Sequence, residues 1–245
     1  MIMNTTLNYS PNFNKKKRNL GDIKFIIFHY TGMKRENDAI NRLTSFNSKV
    51  SSHYFIKKNG EILTLVPDLY VAWHAGFSSW KKYKFLNKNS IGIEISNSGH
   101  DNKYEYFNKK QIRSVLKLTK FLIKKYKIKS KFILGHSDIS PDRKKDPGEK
   151  FPWKNLFKKQ IGKWHNLNPK MLVRNRNKSI SLIEKKKFYK NLYKIGYSKN
   201  FGKKNINYLK KLTTVFQMRF RQDLINGIVD KECLIISKNL IKKFL

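Results

Sequence analysis

An α/β domain followed by a small helical unit is the fold class the sequence predicts, and three observations carry it. Short apolar runs alternate with helical stripes through the first 165 residues. An Asn-Gly pair separates two strand-like runs, a strong hairpin signal. Past residue 178 only helical periodicity remains. A chain of 245 residues can bury one large core or two modest ones. The expected division is a domain over 1–165, a linker over 166–178 and a helical unit over 179–245.

Taken in order, Ile23 to Phe28 is a nearly continuous apolar run, read as a buried strand ending at His29. Residues 36–46 suggest a short first helix. His53 to Lys57 and Glu61 to Val66 flank Lys58-Asn59-Gly60, the expected hairpin turn. Ile91 to Ile95 is a further strand, whose alternation places Gly92 and Glu94 on one face and the isoleucines on the other. From Asn108 to Lys127, Ile112, Val115, Leu116, Leu122, Ile123 and Tyr126 keep a helical stripe with lysines opposite. Phe132 to Leu134 is another strand, running into Gly135-His136. A polar loop punctuated by Pro141, Pro147-Gly148 and Pro152 follows. Asn, Arg, Lys and Pro169 interrupt the pattern over 166–178. Helices are expected over 180–195, 206–221 and 230–244, with Leu209, Leu212, Phe216 and Phe220 on one face of the middle one.

Composition excludes several classes of function. Hydrophobic residues make up 39% and aromatics 13%, too many for a disordered chain. No apolar run reaches the length of a membrane span. The single cysteine, Cys233, excludes an intramolecular disulfide framework and any multi-cysteine metal site, and its place is expected to be in a helical core. The net charge of +38 invites a nucleic-acid reading. Its distribution opposes one: residues 1–165 hold 34 basic and 12 acidic side chains, and 166–245 hold 20 and 4. A lysine excess spread this evenly, with abundant Asn and Ile, is what an AT-rich genome writes at tolerant surface positions. No nucleic-acid partner is expected.

Two of the six histidines, His29 and His136, follow predicted strands directly, where loops collect functional groups. Two such histidines and a carboxylate suit zinc, which takes three protein ligands and keeps a fourth position open in catalytic sites. Asp138, Asp142 and Asp146 all lie close enough in sequence to supply the carboxylate. Structural histidines, satisfied within the core, are the other reading this spacing allows.

Seven motifs occur in a telling order. They are Ile27-Phe28-His29-Tyr30-Thr31, Ser51-Ser52-His53-Tyr54, Ala72-Trp73-His74-Ala75-Gly76 and Ser90-Ile91-Gly92-Ile93-Glu94, then Gly135-His136-Ser137-Asp138-Ile139-Ser140-Pro141, Arg143-Lys144-Lys145-Asp146-Pro147-Gly148 and Phe151-Pro152-Trp153. Together, over about residues 20–165, they resemble the zinc-dependent N-acetylmuramoyl-L-alanine amidases of the type 2 family, which share a fold with peptidoglycan recognition proteins. The resemblance implies a mixed β-sheet flanked by helices, one zinc ion per chain, and peptidoglycan or muropeptides as the substrate. It implies that His29, His136 and Asp146 are the zinc ligands, that Glu94 is the catalytic acid and base, and that Lys144 stabilises the oxyanion. Trp73, His74 and Ala75 then belong to a substrate groove, His53 supports the sheet beneath the site, and Asp138 orders its loop. His100 and His165 match no functional position. Some relatives place a catalytic Tyr immediately before the counterpart of His53; Ser52 stands there in this chain, so that variant of the mechanism is not expected. A non-catalytic recognition protein on the same fold is the main rival, and loss of a zinc ligand would have marked it; all three are present.

The tail has its own likeness. Leu192 to Gly196-Tyr197, then Leu212, Phe216-Gln217, Phe220-Arg221 and Gly227-Ile228-Val229-Asp230, resemble the three-helix peptidoglycan-binding module. Such a module would hold the enzyme on its polymer and is expected to be removable without loss of chemistry on small fragments. No secretory h-region is visible in the first twenty residues, so a cytoplasmic location is expected. A wall-binding tail favours the alternative, the periplasm or the outer membrane.

Overall fold

The apolar runs assemble into a six-stranded sheet in the computed structural model, which describes residues 3–199 and 206–244. Its strands are β1 (Thr6–Leu7), β2 (Phe25–Tyr30), β3 (Tyr54–Ile56), β4 (Ile62–Thr64), β5 (Ser90–Ile95) and β6 (Ile133–Gly135). Their order across the sheet is β1-β4-β3-β5-β2-β6. β3 and β4 form the antiparallel hairpin, and every other neighbouring pair is parallel, so the sheet is mixed as expected. Gly60 turns that hairpin at φ +89°, a conformation glycine adopts without steric cost. β2 and β5 lie side by side in the interior and are covered on both faces. Continuous burial is why β2 reads as an apolar run, while β5 alternates because Gly92 and Glu94 face the site.

The helices are α1 (Glu36–Thr44), α2 (Lys109–Tyr126), the single turn α3 (His136–Ile139), α4 (Trp153–Lys158), α5 (Pro169–Asn175), α6 (Leu182–Ile195), α7 (Ile206–Phe220) and α8 (Lys231–Phe244). α2 starts where the Asn108 side chain accepts from the Gln111 N–H and the Gln111 side chain accepts from the Asn108 N–H. A cap of this kind stabilises a helix by about 1 kcal/mol. Val115, Leu118 and Leu122 form its buried stripe, and Lys127 ends it in the left-handed region.

Two features of the tail bear on the expected division. The segment over 166–178, expected as a linker, contains α5: Asn168 caps it, Pro169 opens it and Leu172 is buried. A helix this short leaves too little periodicity to stand out in the sequence. The segment is also tied at its end, where Arg176 pairs with Glu232 and Asp223. The tail also packs against the first 165 residues. One continuous hydrophobic cluster runs from Ile23 to Phe244 and includes Trp80, Leu134 and Trp153 together with Phe188, Phe216 and Phe220. Trp80 packs edge-on against Tyr197 and leans on Phe244. An added Cβ at Gly196 would fall 2.4 Å from the Trp80 ring, so only glycine allows the tail this close.

The tail motif has a local explanation. Gln217 is fully buried, accepts from the backbone N–H of Asn226 and Gly227, and donates to the Ile228 carbonyl. Asp230 accepts from the Cys233 N–H at the start of α8 and from Arg221. The Phe-Gln and Gly-x-x-Asp residues therefore join α7 to α8, and Cys233 is buried in that core as expected.

Candidate metal centre and active site

Sheet register brings the chemistry together. β2 and β5 run parallel with His29 paired to Glu94, so both side chains leave the same face of adjacent strands. Neighbouring strands stand about 4.8 Å apart, which fixes the scale of the site. β6 lies on the other side of β2, with Gly135 paired to Phe28. The next residue, His136, opens α3 and turns toward His29. An added Cβ at Gly135 would lie 2.6 Å from the Pro147 ring, so glycine lets the Asp146-Pro147 segment close over the strand end.

The result is a compact, buried triad. His29 Nδ1 lies 3.0 Å from His136 Nδ1 and 2.9 Å from Asp146 Oδ2, and His136 Nδ1 lies 3.1 Å from that same oxygen. Among the described residues, these three are the group placed to hold a metal ion. His136 Nε2 donates to the Ala75 carbonyl, which leaves its Nδ1 lone pair facing the other two atoms. Lone pairs converging at this spacing repel unless a cation lies among them. A tetrahedron with ligand distances near 2.05 Å has edges of about 3.3 Å, close to the spacings seen, so the donor set fits zinc.

The electrostatics suit a metal site. Burial first, and His136 second, lower the His29 pKa to about 4 against the pull of Asp146, so this imidazole is neutral at pH 7. Burial alone would raise Asp146, but the two histidines outweigh it and hold the carboxylate well below its usual range. Neutral imidazoles and an ionised carboxylate are the states that ligate.

Glu94 has the opposite character. Burial, then the Asp146 charge, push its pKa well above the ordinary carboxyl value, with Lys144 opposing. Its Oε2 is buried and has no hydrogen-bond partner. An orphaned polar atom beside a metal triad is a group kept ready for a proton. Lys144 and Glu94 both line the cleft above the triad, which measures about 360 Å³. The neighbouring Arg143 borders the same cleft but is engaged as a clamp. Its Nη2 donates to the carbonyls of Ala75 and Phe77 and its Nε to Phe77, joining the 75–77 loop to the metal loop. Lys145 is exposed, 3.8 Å from Asp101.

The remaining predicted residues separate. Trp73 lines the cleft and its Nε1 donates to Asn14. His74 also borders the cleft, but both ring nitrogens are engaged, with His29 and Ser90. Ala75, expected in the groove, is fully buried; its carbonyl meets His136 and Arg143, so no side chain is offered to a substrate there. His53 lies beneath the site as expected, its Nδ1 accepting from the Gly92 N–H. Burial, then Arg18, lower its pKa to about 3. Asp138 orders its loop by accepting from the Gly135 N–H. His100, to which the sequence assigned nothing, bridges Tyr30 and Glu149 and stacks on Tyr104 at 4.3 Å, supporting Tyr30 at the cleft. Its partners are scattered along the sequence, so no local pattern marks it.

Comparison with known proteins accords with this geometry. Residues 19–149 match the family described as N-acetylmuramoyl-L-alanine amidase. The chain is 32% identical over 235 residues to N-acetylmuramoyl-L-alanine amidase AmiD of Escherichia coli K12, covering 91% of this chain and 83% of that one. The solved complex of E. coli AmiD with anhydro-N-acetylmuramic acid-L-Ala-D-gamma-Glu-L-Lys is similar with a TM-score of 0.79 at 31% identity, over 94% of this chain and 93% of the other. AmpDh3 from Pseudomonas aeruginosa, in complex with an anhydromuramic pentapeptide, gives a TM-score of 0.79 at 28% identity over 94% of each chain. Both structural likenesses extend through the helical tail.

Proposed function

This chain belongs to the N-acetylmuramoyl-L-alanine amidase family, and from that premise we propose how its own residues cut the amide between the lactyl group of N-acetylmuramic acid and L-alanine. It is a zinc-dependent hydrolase acting on peptidoglycan or muropeptides. The observation that carries this reading is the buried His29, His136 and Asp146 triad with the unpartnered Glu94 beside it.

His29, His136 and Asp146 hold the zinc, which when bound polarises the scissile carbonyl and acidifies the attacking water. Glu94 accepts the proton of that water at a carboxylate oxygen and passes it to the alanine nitrogen as the C–N bond breaks. Its raised pKa, caused chiefly by burial, makes the carboxylate a stronger base for the first half of that transfer. Lys144, at the cleft wall, stabilises the negative charge that develops on the carbonyl oxygen. Arg42, Arg143 and Lys144 supply positive charge along the cleft wall, which suits a stem peptide bearing carboxylates.

Mass spectrometry of products from sacculi and from soluble anhydro-muropeptides tests the reaction and identifies the preferred form of substrate. Release of stem peptides with a free L-alanine amine is expected, and full turnover by protein confirmed metal-free after chelation would overturn the zinc reading. Glu94→Gln should lower turnover by about 10²–10⁴-fold with one zinc retained. Lys144→Ala should lower it by roughly 10²–10³-fold, also with zinc retained. Lys145→Ala is the electrostatic control and should be mild. Arg143→Ala is no such control, because it releases the loop that carries Ala75.

A further inference from the structure

His74 lies over β5 in a space that only glycine leaves. A Cβ at Gly92 would fall 2.4 Å from its ring. The ring is also edge-on to His29, with centroids 5.1 Å apart. Ser90, Gly92 and Glu94 alternate onto one face of β5, so the strand seats His74 with two of these residues and presents the reactive carboxylate with the third.

The hydrogen bonds around His74 have a fixed direction. Ser90 Oγ lies 2.6 Å from the Leu86 carbonyl, which can only accept, so the hydroxyl donates there. The hydroxyl oxygen then accepts from His74 Nε2 at 3.1 Å. With its proton on Nε2, neutral His74 offers a lone pair at Nδ1, and His29 Nε2 donates to it at 3.0 Å. His29 is thereby held as the Nε2–H tautomer, with the Nδ1 lone pair aimed at His136 and Asp146. Leu86 thus sets the tautomer of His29 through two intervening side chains. Ala75, the next residue after His74, does the same for His136 through its carbonyl.

We infer that His74 is a positioning residue of the metal centre rather than a substrate contact: with Ser90 and Gly92 it fixes the tautomer and orientation of His29, and segment 74–75 supplies the outer partners of both imidazole ligands. Neither ring nitrogen of His74 is left for a substrate. Partners of this kind raise ligand basicity, and their loss typically costs ~10–100-fold in metal affinity. The inference rests on the zinc-amidase reading above.

Competition between the purified, metal-free full chain and a chromophoric chelator measures zinc affinity without reference to turnover. Wild type should bind one zinc; failure there overturns the zinc reading itself. His74→Ala should then bind roughly 10–100-fold more weakly, Ser90→Ala should show a smaller loss, and His74→Asn, whose amide oxygen can accept from His29, should recover most of it. Trp73→Ala, at the cleft but outside the relay, should keep wild-type zinc affinity while raising KM. Nitrogen-15 spectra of the metal-free protein near pH 7.5 give a second readout: His29 should be protonated on Nε2 in wild type and populate both tautomers in His74→Ala. Wild-type zinc affinity in a folded His74→Ala, or His29 protonated on Nδ1 in metal-free wild type, overturns the inference.

Discussion

Asp138 and Asp146 are both buried in the segment that follows β6, and they end in opposite company. Asp138 is surrounded by donors. Arg219 of α7 pairs with it, Tyr197 donates its hydroxyl at 2.7 Å, and the Gly135 N–H donates at 2.8 Å. Asp146 instead directs an oxygen at two imidazole nitrogens, one of which is shown by its Ala75 bond to present a lone pair. A buried carboxylate whose oxygens are met by fixed donors is structural. One that converges with other acceptors is kept for an ion. Spacing in the sequence offers no such distinction, and only the motifs that carry the resemblance separate the two; in the structure the difference comes from elements far along the chain.

Breaking the comparison at Asp146 should have the largest effect. Asp146→Ala removes one of three ligands, so zinc and turnover should both be lost while the fold persists. Asp138→Ala should keep one zinc per folded chain but leave Arg219 as an uncompensated buried charge, a loss of about 3–5 kcal/mol. Zinc analysis and urea unfolding of the two variants separate these outcomes. Loss of zinc from a folded Asp138→Ala would put Asp138 on the metal side of the comparison.

A smaller effect tests the pairing from the tail. Arg219→Met strands the Asp138 charge and should also destabilise by about 3–5 kcal/mol. Adding Asp138→Asn to it should restore part of that loss, because the double variant buries no lone charge. Additive losses in a double-mutant cycle would show that the pair does not interact. Deleting residues 178–245 removes Arg219, Tyr197 and the cover over Trp80 together. An insoluble or inactive protein is expected, as measured by soluble yield and hydrolysis of small fragments.

The finest test is a pH profile. Burial lifts the pKa of Glu94 in the fold above its value of 4.5 in the unfolded chain. The stability that the neutral acid contributes is therefore complete below that unfolded value and is lost as pH rises through the raised folded one. Metal-free Glu94→Gln lacks this loss, so its stability advantage over metal-free wild type should grow with pH across that interval. A constant difference between the two curves would mean that Glu94 titrates normally.

Strand and helix positions were largely legible because burial on both faces and amphipathic stripes leave long-lived patterns: β2, β5 and α2 lie within two residues of expectation. The metal ligands were legible through their motifs, and the spacing of His29 and His136 alone left a structural reading open. β1, α4 and α5 were missed because two to seven residues hold too little periodicity. The reach of the tail into the core was missed for another reason. Arg219 and Gly196 look like ordinary helix and cap residues until Asp138 and Trp80 are placed beside them. His74 was recognised but given to the groove, since its partners Ser90 and His29 come from separate strands.

The pairing of Asp138 with a residue 81 positions later also orders events in time. A ribosome adding about 5–20 residues per second needs roughly 4–16 s to make that interval. Throughout it, His136 and Asp138 exist without the arginine that anchors their turn, and for most of it Trp80 also lacks Gly196, against which it packs. The finished hydrolytic centre therefore waits for α7. A nascent chain holds its ligands but not the frame that aligns them, so competence to cut arrives late in synthesis, after most of the cleft has been made.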